Sequence, residues 1–364
     1  MHLLEPTPLG NLALANRVVM APMTRSRADA NGVVGDMTVA YYVQRATAGL
    51  LVSEGTNISP DALGSPLTPG IYSPEQIVAW RRVTDAVHAA NGVLFLQLWH
   101  TGRVGHSLVR GGALPVAPSA VAIPGQKHFT MQGPMEYEVP HALTTDEVQH
   151  TVLDYEAAAQ NAREAGFDGV ELHGAFGYLP NQFLVDASNR RTDRYGGTVE
   201  NRSRFVIDVM ERLVAVWGSD RVGIKLSPTI PFNGMTDSDP LATFGYLINQ
   251  LNALPLAYVH LMKALFPLDA FPTWPKDAIA TFGPMVRNRL MVNGGYTRDT
   301  AEAALGGGAE LVSFGAPYIA NPDLVRRFGL GSALAAPDRA TMYGGGVHGY
   351  IDYPALPADT TERS

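Results

Sequence analysis

The chain holds 364 residues, with 27 basic against 34 acidic side chains, a formal net charge of −7, and 46% apolar and 17% charged residues. That acidic balance, without any basic run, argues against a nucleic-acid or anionic-membrane surface, and the lack of cysteine excludes disulfides, thiolate catalysis and cysteine-ligated metals. No apolar run reaches membrane-spanning length. The opening MHLLEPTPLG has no basic segment before an apolar core, so a cytoplasmic protein without a signal peptide is expected.

In chain order, strand-like and helix-like segments alternate. Leu9-Gly10-Asn11-Leu12 reads as a small hairpin suited to plugging the bottom of a barrel. Residues 17–22 read as the first buried strand and 37–48 as its helix. Residues 50–54 form the second strand, with Pro74 at the first turn of the next helix, and 92–98 the third. Residues 101–143 follow, rich in Pro and Gly and without a clear period. So long an irregular stretch in a compact domain is expected to be a functional lid or a subdomain. Thr144-Thr145-Asp146-Glu147 supplies capping chemistry for a helix opening near Thr145. It leads into a strand at 169–172, a helix at 199–216, and strands at 222–227, 257–262, 290–293 and 311–314. Eight units of about 45 residues, each with a continuous apolar strand, predict an α/β fold of the (β/α)8 TIM-barrel type. An N-terminal hairpin and a long insertion after the third strand decorate one domain over residues 1–364. A doubly wound sheet is the alternative, but no Gly-rich fingerprint follows the first strand.

Barrels of this kind carry their chemistry at the carboxyl ends of the strands. The strand at 169–172 ends in His173, and Phe176 and Tyr178 follow in a glycine-flanked loop. Read alone, His173 is equally a satisfied core histidine and Tyr178 a packing aromatic. The other strand ends present Thr24, Gly55, Gln97 with Trp99 and His100, Lys225, Met262 with Lys263, Gly294-Gly295 and Gly315. Polar side chains alternating with glycines suit a flat polar ligand laid across the barrel mouth. The glycines after the last two strands have the form of a barrel phosphate site.

Met20-Ala21-Pro22-Met23-Thr24-Arg25, Gln97-Leu98-Trp99-His100-Thr101-Gly102-Arg103, Glu171-Leu172-His173, Gly177-Tyr178-Leu179, Asn189 to Gly197, Asn293-Gly294-Gly295-Tyr296 and Gly349 to Pro354 together resemble the Old Yellow Enzyme family, in family order over essentially the whole chain. The resemblance implies an FMN-binding barrel that reduces activated C=C bonds of α,β-unsaturated carbonyl compounds with NAD(P)H, acting on a small molecule as a monomer or homodimer. It implies that Thr24 bonds the flavin and tunes its potential, that Gln97 meets the pyrimidine edge, and that backbone near Pro22, Met23 and Gly55 packs on the ring. Gly294, Gly295, Phe314, Gly315 and Ala316 would then surround the phosphate. His173 would donate to the substrate carbonyl and Tyr178 would protonate the neighbouring carbon, with Trp99 and Tyr343 lining the pocket. No metal is implied.

Four positions depart from the family pattern. Phe176 stands where a second donor, His or Asn, is usual; Lys225 replaces an arginine at the flavin N1/O2 edge; Ala316 replaces the phosphate-binding arginine; and Lys263 replaces a common acidic residue, where it could serve as a base or pair with a ligand anion. The first expectation is therefore an ene reductase with an altered carbonyl clamp. A second is a redox-silent member catalysing isomerisation or cyclisation, and a third is a silent ligand-binding barrel.

Overall fold

The structure, a computed structural model, describes residues 1–357; the last residues of the domain expected over 1–364 lie outside the described residues. Eight short parallel strands close into a ring. They are β1 (Val18–Met20), β2 (Leu50–Val52), β3 (Leu94–Trp99), β4 (Gly169–Gly174), β5 (Val222–Leu226), β6 (Tyr258–Met262), β7 (Leu290–Asn293) and β8 (Leu311–Phe314). Register runs continuously around it: Glu171 lies opposite Gln97, His173 opposite Lys225, Lys225 opposite His260, and Phe314 of β8 returns to Met20 of β1. The eight-strand barrel expected from the sequence is the fold. Its strands read as unbroken apolar runs because one face fills the barrel and the other packs under helices.

Inside the lower barrel, Val19, Leu50, Val52, Phe95, Tyr258, Met291 and Leu311 form a cluster of their own. Leu9 and Leu14 join it from a hairpin pairing Thr7–Leu9 with Leu12–Leu14, so the N-terminal hairpin does plug the barrel floor. Gly10 makes its turn at φ 58, and a Cβ there would lie 2.2 Å from that of Asp220, so both backbone and space require glycine.

The surrounding helices are α1 (Asp36–Val43), α2 (Pro74–Ala89), α3 (Thr145–Glu164), α4 (Leu179–Leu184), α5 (Val199–Trp217), α6 (Pro240–Leu251), α7 (Ala278–Phe282), α8 (Arg298–Gly306), α9 (Ala316–Ala320) and α10 (Leu324–Leu330). Ser73 with Gln76 and Thr144 with Glu147 form reciprocal capping boxes at α2 and α3. The first helix is shorter than the 37–48 expected. Beyond Val43 the chain tightens into bonds from Arg45, Ala46 and Ala48 to carbonyls three residues back. The Arg45 guanidinium stabilises this by donating to the carbonyls of Tyr41, Tyr318 and Ile319.

The segment at 101–143 is ordered where the sequence shows no period. Val116–Ala117 pairs with His141–Ala142 at its root, and Lys127–Thr130 pairs with Gly133–Glu136 as an antiparallel hairpin. Arg103 clamps the root to the loop after β5, donating to the carbonyls of Val121, Asn233 and Gly234 at 3.0, 3.1 and 3.3 Å. No helix among the described residues is long and apolar enough to cross a membrane.

Candidate active site

The upper barrel is polar where the lower barrel is apolar. Glu171 is fully buried on β4 and accepts from Gln97 Nε2 at 2.8 Å and from His260 Nδ1 at 2.9 Å. His260 Nε2 meets Ser313 Oγ at 2.7 Å, and Asn293 Nδ2 donates to the same hydroxyl at 2.5 Å. Burial alone would raise the Glu171 carboxyl, but His260, Lys225 and Gln97 outweigh it and hold the group below its ordinary range. An ionised carboxylate only accepts, so it fixes the Gln97 amide with its NH2 inward and its oxygen free. Sequence reasoning singled out Gln97 but not the layer beneath it. The available signal is Glu171 and His260, polar residues placed inside otherwise apolar strands, which a dry interior tolerates only when paired.

Lys225 rises from β5 beside this layer and is 4% exposed. Burial brings its ammonium down to about 8 while Glu171 pulls the other way. Its Nζ lies 5.6 Å from the centre of the Phe176 ring. His173, opposite Lys225 in register, is held well below its ordinary value by burial, by the positive charge of Lys225 and, less, by the neighbouring His260. The imidazole is therefore neutral, and its Nδ1 is buried without a partner.

Tyr178 stands at the cap of α4, its ring 4.7 Å from His173 and 5.0 Å from Trp99, both edge-on. Burial pushes its phenol well above the ordinary value, as do the phenols of Tyr343 and Tyr137, so it keeps its proton. Tyr137 belongs to the 101–143 insertion and was not anticipated from sequence. Tyr343, expected in the pocket, reaches Tyr178 electrostatically but is 67% exposed at the rim.

Phe176 adopts the left-handed conformation at φ 57, which bulky side chains rarely accept. Two bonds hold it there: its amide donates to Ser227 Oγ at 2.9 Å, and Asn233 Nδ2 donates to its carbonyl at 2.9 Å. Its ring stands edge-on to His173 with centroids 6.3 Å apart.

Pro22, Met23 and Thr24 sit half-buried at the end of β1. Gly55 passes under Trp99, whose indole a Cβ there would meet at 2.8 Å, so packing on Trp99 already accounts for this glycine. Across the mouth, Gly294 takes φ 135, and a Cβ on it would lie 2.3 Å from Lys263 Cγ. A Cβ on Gly315 would meet only Met23 at 3.6 Å, so space beside Gly315 is open. Phe314 turns its ring outward onto Phe328, leaving only its backbone at the mouth, and Ala316 is exposed. Lys263, expected among the substrate contacts, lies across Gly294 with its Nζ 4.6 Å from the centre of the Tyr296 ring.

Residues 2–334 match the NADH:flavin oxidoreductase / NADH oxidase family. The chain is 43% identical over 360 residues to 12-oxophytodienoate reductase 1 of Oryza sativa subsp. japonica, covering 97% of this chain and 93% of that protein. It is 41% identical, over 97% of each chain, to a Leishmania infantum protein named "Probable flavin mononucleotide-dependent alkene reductase". Among solved structures, morphinone reductase in complex with tetrahydroNAD superposes with a TM-score of 0.92 at 45% identity, covering 98% of both chains. The old yellow enzyme homologue from Zymomonas mobilis superposes at 0.93 and 42%, covering 98% of this chain and 100% of that one. With a polar barrel mouth, a glycine-lined opening after β7 and β8, and likeness of this extent, the chain belongs to the NADH:flavin oxidoreductase / NADH oxidase family, as an FMN-dependent ene reductase of α,β-unsaturated carbonyl compounds driven by NAD(P)H.

Proposed function

We propose that His173 and Tyr178 are the working pair of this reductase: His173 holds the carbonyl oxygen of the substrate and Tyr178 delivers a proton to the carbon beside it. The observation that carries this reading is the buried, unpartnered Nδ1 of a neutral His173 set against a protonated phenol. Orphaned polar atoms in dry sites are costly unless a ligand satisfies them.

The residues fit FMN. Gly294 and Gly295 both take positive φ, and the space by Gly315 that no side chain fills would admit the phosphate. Gln97 gives one N–H to Glu171 and keeps its oxygen and second N–H, a donor–acceptor pair that would match a pyrimidine edge, while the Thr24 hydroxyl and backbone at Pro22, Met23 and Gly55 would flank the ring. Bound FMN supplies the hydride. Lys225, charged beside Glu171, would supply positive charge to the anionic form of a reduced flavin held in the mouth. As hydride reaches the β carbon, charge grows on the carbonyl oxygen, and His173 donates to it from a fixed position. Tyr178 is already protonated and needs no earlier step to act as general acid. Trp99 holds the Tyr178 ring edge-on, and the insertion brings Tyr137 towards the same phenol, so we read residues 101–143 as a cover over the substrate.

The substitution Tyr178→Phe tests the pair. We expect proton delivery to slow by about 10²-fold or more while reduction by NAD(P)H is preserved. A product-forming rate equal to wild type would remove Tyr178 from this role.

A further inference from the structure

We propose that Lys263 is the cation that neutralises the phosphate of the flavin, a role supplied from the end of β6 rather than from the end of β8. The proposal rests on the FMN assignment. The Lys263 amide donates to the Asn293 carbonyl at 3.0 Å, extending the ladder between β6 and β7 by one bond. Its side chain therefore leaves the barrel beside Gly294 and Gly295, the loop whose backbone would face the phosphate. It runs over Gly294 itself: a Cβ there would strike Cγ at 2.3 Å and approach both Cδ and Cε at 3.2 Å. The glycine is thus what opens a lane for the lysine stem, in addition to the φ of 135 that its backbone adopts.

The ammonium rests over the Tyr296 ring, 4.6 Å from its centre. Among the described residues it makes no ion pair with a carboxylate. The other cations nearby are committed. Arg298, at the start of α8, pairs with Asp299 at 3.0 Å. Arg45 spends its donors on the carbonyls of Tyr41, Tyr318 and Ile319. Lys225 faces Glu171 inside the barrel, and Ala316 carries no charge. A flavin phosphate beside Gly294, Gly295 and Gly315 thus has in Lys263 a half-buried cation without a carboxylate partner. The flexible stem, lying on an open glycine, lets the ammonium turn from an aromatic face to an anion at little cost, and a lysine binds phosphate as a point charge without needing the planar fork of arginine.

The test compares FMN with riboflavin, which carries the same ring without the phosphate, by titrating the full-length deflavinated protein and following flavin fluorescence. For Lys263→Met we expect FMN binding about tenfold or more weaker and riboflavin binding changed by less than about twofold. Lys263→Arg should keep the FMN preference, and Ala316→Arg added to Lys263→Met should recover part of it. Equal losses for both flavins, or no loss for either, would overturn the proposal. Binding of neither flavin by the wild type would overturn the FMN assignment and the proposal with it.

Discussion

Replacing Phe176 by asparagine separates the chemistry of the carbonyl clamp from the stability of the loop that carries it. The backbone at this position is set from outside, by the bonds to Ser227 and Asn233, so a new side chain inherits the same geometry. A bulky residue in the left-handed region costs about 1–2 kcal/mol, and asparagine accepts that region more readily. Against this gain stands the loss of the ring over the buried Lys225, at 5.6 Å, a desolvated cation–π contact of about 2 kcal/mol. The two nearly cancel, and stability should stay within about 1 kcal/mol of wild type. Reactivity should not. An amide beside His173 adds a second donor to the developing enolate, and a donor of that kind is worth on the order of 10²–10³ in rate when removed elsewhere. We expect reoxidation of the reduced enzyme by a cyclic enone, followed by anaerobic stopped flow, to accelerate about tenfold or more. A rate constant unchanged in a variant of normal melting temperature would refute the idea that Phe176 limits the clamp.

Two further outcomes follow from buried ionisable groups. Lys225 is charged below about 8, and a bound anionic flavin can only move that value upward. Reduction by NAD(P)H should therefore weaken as pH rises through about 8 or somewhat above, and Lys225→Arg should flatten the profile because arginine stays charged; coincident profiles would contradict this. Glu54, buried at the end of β2, is raised from 4.5 to about 7 by burial, against the lowering effect of the Arg25 amide that bonds it. Its folded value lies above its unfolded one, so its share of stability is complete below about 4.5 and is lost as pH rises through about 7. Denaturant unfolding of Glu54→Gln and wild type should show the balance moving towards the glutamine variant by about 3 kcal/mol between acid and mildly alkaline pH. A difference independent of pH would contradict the assignment.

Much of the fold was legible because barrel strands buried on both faces must read as short apolar runs, and helix starts such as Thr144 to Glu147 carry their own caps. The insertion at 101–143 was not legible as structure. Its hairpin leaves Phe129 and Met131 exposed, so no alternation of apolar and polar residues marks it. Gly55 shows how one residue can carry two demands: the resemblance places it against the flavin, whereas its space is already required by Trp99. Lys263 was conspicuous as an exchanged charge, but its direction depends on a lane over Gly294 that only three-dimensional contact reveals. The polar layer of Glu171, His260 and Ser313 was written in the strands as misplaced polarity, and only the register across β3 to β8 shows that these residues meet.

The most direct measurement is the visible spectrum of the purified protein, with released FMN quantified after denaturation. The protein should be yellow with close to one FMN per chain, bleached anaerobically by NAD(P)H and recoloured by an enone as the saturated ketone forms. A colourless protein that refuses added FMN, or a reduced flavin that an enone fails to reoxidise, would contradict the assignment as an FMN-dependent ene reductase.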